Sequence, residues 1–151
     1  MELELTVCDA AYASCNGRRN MAELQNNLEP LGELTLRTLA MPADANAAGD
    51  IFGGWVMAQM DLASGIRAAE RANGRVVTAA VKEMSFVAPV KIGDTLCIYT
   101  SITRVGRTSI ALHVQAWAQR YLKAGTRNLV TQADFVMVAL DSEGLPTPVA
   151  S

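Results

Sequence analysis

The chain has 151 residues, enough for one domain with a sizeable core; half are hydrophobic and 19% charged, which excludes a disordered chain. A formal net charge of −2 gives no general attraction to nucleic acid or anionic lipid, and no apolar run approaches the roughly 18–20 residues of a membrane span. Cys8, Cys15 and Cys97 are odd in number and lack metal-ligand spacing, so reduced spectator thiols in a cytoplasmic protein are expected.

Residues 1–32 are polar and end at Pro30 and Gly32; they read as a loosely ordered extension, without the basic start and apolar middle of a signal peptide, and with Met21 as a second candidate start. Residues 33–151 read as a single domain. Its first strand is ELTLRTLA (33–40), with leucines alternating against polar partners. Pro42 stops it and opens a loop rich in Ala, Asn, Asp and Gly. A helix is predicted from near Gly53 to about Ala72, with Asn73-Gly74 as its stop signal. Its first four turns are nearly free of charge, which predicts burial on most sides.

The periodicity then switches to two. RVVTAAVKEMSFVAPV (75–90), TLCIYTSITRV (95–105), TSIALHVQAWAQR (108–120) and TRNLVTQADFVMVAL (126–140) read as strands, the last three joined by short glycine-containing turns into an antiparallel meander. One strand, one buried helix and four long strands are satisfied by a curved antiparallel sheet of about five strands wrapped around a long central helix, the α+β hot-dog fold.

Several chemistries are excluded. A hydrolytic triad needs a histidine base, yet His113 is the one histidine, set mid-strand on a polar face with no GxSxG elbow. No His/Cys/Asp cluster has metal-ligand spacing, and Gly49, Gly53 and Gly54 form neither a dinucleotide nor a phosphate-loop fingerprint. What remains is a carboxylate, amides and oriented water.

Asp61 is that carboxylate. On a helix its neighbours at three and four residues are Met57, Ala58, Ser64 and Gly65, and the next cation along the chain, Arg67, lies on another face. A desolvated, unpaired carboxylate costs several kcal/mol, so a chain that keeps one is expected to use it. The alternative is a satisfied structural group, given a donor such as Thr78 or Ser85. Asn46 sits in the preceding loop as an amide donor or as a residue shaping the loop; Asp50 reads mainly as a cap. Gly53-Gly54 leaves backbone N–H groups unencumbered at the positive helix end, suited to an oxyanion, or only permits close packing.

The stretch LRTLAMPADANAAGDIFGGWVMAQMD, followed by GRVVTAAVKEMSFVAPVKIGD and closed by VALDSEGLP, resembles the hot-dog acyl-CoA thioesterases of the bacterial YciA type, relatives of brain acyl-CoA hydrolase, over about residues 33–149. The resemblance implies hydrolysis of acyl-CoA to a free acid and CoA, without a cofactor or metal, at sites between two protomers of a trimer of dimers. It implies Asp61 as general base or nucleophile, Asn46 supplied across the dimer, and the Gly53 and Gly54 amides as oxyanion hole. The corresponding family turn touches CoA, which makes Arg104, Gly106, Arg107, Thr108 and Ser109 candidates for its phosphates, with a solvated turn residue as the alternative for Arg107; Met84, Phe86 and Val87 read as acyl-chain lining or as plain core. The rivals are a hot-dog hydratase or dehydratase, which needs a histidine beside the Asp, a non-catalytic acyl-CoA sensor, and a structural oligomer.

Overall fold

A computed structural model of the chain describes residues 29–123 and 125–150. The extension assigned to residues 1–32, with Cys8, Cys15 and Met21, lies almost wholly outside them. Strand β1 (Glu33–Leu39) leads through a short 3-10 turn at Pro42–Asp44 and a loop into helix α1 (Gly53–Ala72). Strands β2 (Val76–Phe86), β3 (Thr95–Val105), β4 (Ser109–Gln119) and β5 (Arg127–Ala139) follow. All strand pairs are antiparallel, in the order β1-β3-β4-β5-β2. The first two strands in the chain thus lie at opposite edges, and α1 crosses the sheet between them.

The helix runs over the predicted residues because its signals are local. Gly53 opens it behind an extended Phe52, and Asn73 ends it in the left-handed conformation (φ 50°), which Asn tolerates. Val56, Met60, Ala63, Ser64, Ala68 and Ala72 are its buried stripe. Small residues in that stripe let the helix axis sit close to the sheet, and the buried Ser64 hydroxyl is satisfied by donating to the Met60 carbonyl (2.7 Å). Opposite lie Leu96, Ile98, Ile110, Leu112, Val114, Phe135 and Met137, alternate residues of β3, β4 and β5.

The expectation of burial on most sides is corrected. The single chain covers one face of α1; Met57 (43% exposed), Leu62 (55%) and Ile66 (44%) lie open, as do Val77 and Val81 on the neighbouring edge strand β2. Low charge over four turns marks surfaces kept from water, and a single five-stranded sheet reaches only one of them. Strand β2 is also shorter than predicted, because the Val87 and Ala88 N–H groups both turn to the Val130 carbonyl and Pro89 has no N–H to donate.

Candidate active site

Asp61 stands on the open face of α1, exposed, and its Oδ1 accepts a hydrogen bond from the Thr78 hydroxyl of β2. The expectation of a desolvated, partnerless group is corrected on both counts within the single chain. Asp61 and Thr78 line one side of a groove of about 730 Å³ between helix and edge strand, together with Leu62, Ile66, Val77, Met137 and Arg75. One carboxylate in an apolar groove, with one oxygen held by a hydroxyl, can take a proton from water or attack an acyl carbon.

The helix N-terminus is two turns away. The Trp55 and Val56 N–H groups donate to the Phe52 carbonyl (3.1 and 3.3 Å), no side chain caps the helix, and the Gly53 and Gly54 N–H groups have no acceptor among the described residues. A Cβ at Gly54 would meet nothing within 4 Å, whereas one at Gly53 would touch the Phe86 ring at 3.4 Å. The ring therefore packs onto the first turn while the Gly54 side stays open. Beside it runs an apolar groove of about 330 Å³ lined by Ile51, Gly53, Val56, Phe86, Val87 and the chain through Val90. Of the proposed acyl-lining residues, Phe86 and Val87 reach this groove; Met84 packs against the main core.

The loop before the helix is folded around Asn46. Its Oδ1 accepts the Ala48 and Asp50 N–H groups (3.0 and 3.1 Å), leaving its NH2 group with no partner among the described residues. Asp50 is not the predicted cap: its carboxylate pairs with the Lys91 ammonium. The cause is geometric, since a backbone bridge sets Asp50 directly opposite Lys91 and so brings the two side chains together. Asp50 and Asp61 are not brought together.

With a rise of about 1.5 Å per residue, Asp61 lies about 12 Å along the helix from Gly53. One thioester carbonyl cannot touch both groups of the same chain. The β3–β4 turn lies at the Asp61 end: Ser109 pairs with Val138, which pairs with Val77, beside Thr78. That offset is two strand spacings, about 10 Å. Arg104 and Arg107 are exposed there, the Gly106 N–H closes the turn onto the Ser109 carbonyl (2.7 Å), and the Thr108 and Arg107 carbonyls accept the Ala139 and Val149 N–H groups (2.9 and 2.8 Å). His113 stands on the sheet face away from the helix, its Nδ1 2.8 Å from Asp134 Oδ1, so it does not accompany Asp61. Two nearby groups escaped the sequence reading: Arg75, whose signal was its place three residues before Thr78, and Lys91, which is far from Asp50 in the chain.

A long helix crossing a five-stranded antiparallel sheet, with a carboxylate on its open face, defines the class as a hot-dog protein of thioesterase type. A family model described as the thioesterase superfamily matches residues 48–124. The acyl-CoA thioester hydrolase YciA of Salmonella typhimurium is 49% identical over 122 residues, covering 80% of this chain and 92% of that one. Among solved structures, a hexameric thioesterase from Yersinia pestis is 48% identical, covers 82% of this chain and 99% of that chain, and superposes with a TM-score of 0.77. HI0827, a hexameric broad-specificity acyl-coenzyme A thioesterase, is 46% identical over 84% of this chain and 87% of that chain, with a TM-score of 0.79. The chain belongs to the thioesterase superfamily, among the YciA-type acyl-CoA thioester hydrolases.

Proposed function

We propose that the protein hydrolyses acyl-CoA thioesters to a free carboxylic acid and CoA at a site built from two copies of the chain. The observation that carries this reading is the axial offset of about 12 Å between the Asp61 and Gly53 positions of one helix (eight residues at about 1.5 Å each), which keeps the carboxylate apart from the open amides of its own chain. The two sets of groups serve one carbonyl when Asp61 of one copy faces the helix start and Asn46 of the next. The open apolar face of α1 and the free edge of β2 supply the surface for that pairing. The hexameric relatives support a homo-oligomer; a trimer of dimers is the arrangement proposed.

In the proposed reaction the Gly53 and Gly54 N–H groups and the Asn46 NH2 group receive the thioester oxygen as it becomes an oxyanion. Asp61 takes a proton from water as the water oxygen attacks the acyl carbon, the C–S bond breaks, and the proton passes to the departing CoA thiolate. In the other route, Asp61 itself attacks and a mixed anhydride is hydrolysed by water. A thioester suits this small set of groups, since its carbonyl has weak resonance and its thiolate leaves readily. No cofactor is called for. The β3–β4 turn, with Arg104 and Arg107, is proposed to take the CoA phosphates, joined by Arg75 in the Asp61 groove, and the groove at Phe86 and Val87 the acyl chain.

The test follows thiol release from acyl-CoAs of graded length. Wild type is expected to turn over, while Asp61→Ala keeps its fold and assembly and loses on the order of 10³-fold or more in kcat. Asn46→Ala is expected to lose about 10²-fold. Full turnover by Asp61→Ala overturns the assignment, and acyl-CoA binding without turnover by wild type establishes the sensor instead.

A further inference from the structure

The Asn46 loop is fastened to the chain at Val90 and Lys91 by backbone bonds and by one side-chain pair. Asn46 donates its backbone N–H to the Asp50 carbonyl (2.7 Å) and accepts the Asp50 N–H on its Oδ1 (3.1 Å), so its conformation is set against Asp50. Gly49, at φ +84°, closes the turn by donating to the Asn46 carbonyl (3.0 Å). Asp50 is in turn bound to Lys91 twice, by the backbone bridge and by the carboxylate–ammonium pair. The Ile51 N–H donates to the Val90 carbonyl (3.2 Å) alongside.

Lys91 is itself anchored. Its N–H donates to Asp94 Oδ2 (3.0 Å), and Asp94, 2% exposed, also accepts from Arg120 Nη1 (3.1 Å). The result is a row of alternating charge, Asp50, Lys91, Asp94 and Arg120, running from the loop into the sheet. Its outer pair is roughly half exposed (44% and 45%), more than a core staple needs.

We infer that Asp50 and Lys91 are a positioning pair for the thioesterase reaction: touching no substrate, they hold Asn46 in place. This inference rests on the reading that Asn46 serves the thioester carbonyl.

The experiment measures kcat and KM for Lys91→Met, Lys91→Arg and Asn46→Ala, and for Lys91→Met combined with Asn46→Ala, in the assembled protein. Melting temperature and gel filtration run alongside. Lys91→Met is expected to lower kcat about tenfold with KM within about twofold, since small misplacements act on the chemical step. Assembly and melting temperature should stay at wild-type values, and Lys91→Arg should recover most of the kcat. Once Asn46 is alanine, Lys91→Met should cost nothing further, because a residue acting through another loses its effect when that one is gone. Wild-type kcat in Lys91→Met, a loss that multiplies on top of Asn46→Ala, or a loss that tracks a fall in melting temperature each overturns the pair's role. Full turnover by Asn46→Ala defeats the underlying reading, and the inference with it; an impaired Asn46→Ala with a silent Lys91→Met defeats the inference alone.

Discussion

Helix α1 has two apolar faces that the single chain treats in opposite ways. Val56, Met60, Ala63 and Ala68 are packed against the sheet and nearly sealed from water, whereas Met57, Leu62 and Ile66 are open. The first face is narrow and built of small residues because a sheet must come close to it. The second is built of larger ones and carries Asp61, which the first does not. Burial of apolar area contributes roughly 25 cal/mol per Å², so an apolar face left in water forgoes stabilisation the fold otherwise seeks. The difference separates what holds the fold from what the fold presents: one face stabilises the chain, the other offers the carboxylate to a second surface.

The largest effects should come from exchanging the two faces' roles. Met60→Ala, in the sealed face, should cost about 2–5 kcal/mol of unfolding free energy in denaturant titration. Leu62→Gln combined with Ile66→Gln, in the open face, should leave the secondary structure intact. Sedimentation should then show smaller species, and thiol release should fall with dilution as the two-chain site comes apart. If the glutamine pair keeps both assembly and activity, the open face is not the one that meets the partner.

The same contrast explains how much of the molecule was legible in the residues. Helix α1 and strand β3 fell on the predicted residues because their signals are local: Gly-Gly before the helix, Asn73-Gly74 after it, and Gly93 ahead of Thr95. The absence of charge around Asp61 was legible too, but hydrophobic periodicity reports that a face avoids water without reporting whether its own sheet or another chain covers it. Thr78 could be named as one of two candidate donors, and pairing with the groove settled on it. Asp50 misled because an aspartate just before a helix reads as a cap, while its partner Lys91 is 41 residues away, beyond any local spacing rule. Val87 to Val90 read as more strand because they are apolar, although the Val87 and Ala88 N–H groups share the Val130 carbonyl and Pro89 has no N–H to donate.

Thr78 sharpens the comparison at a single bond. It is exposed and belongs to no core, so Thr78→Val should leave folding nearly unchanged while releasing one oxygen of Asp61. A hydrogen bond to a charged group is worth about 1.5–3 kcal/mol, which sets an expected loss in kcat of about tenfold or somewhat more, with KM held. A silent Thr78→Val shows that the partner copy, and not β2 of the same chain, orients the carboxylate.

The smallest expected effect lies on the strand that borders the open face. Glu83 in β2 has φ +50°, where the ladder to β5 slips between Lys82 and Ser85. A side chain in the left-handed region costs about 1–2 kcal/mol, part of which glycine returns against its own greater chain entropy. Glu83→Gly should therefore stabilise the protein by about 0.5 kcal/mol, read as a shift of the denaturation midpoint at unchanged slope. The bulge lies three residues before Phe86, whose ring rests on the first turn of α1. If the kink does no more than end the pairing, turnover is untouched for every acyl length. If it aims Phe86 at the helix, the added freedom should lower turnover of long-chain substrates more than short ones. Strain on the open side of the molecule would then serve the site, and the sealed face alone would account for stability.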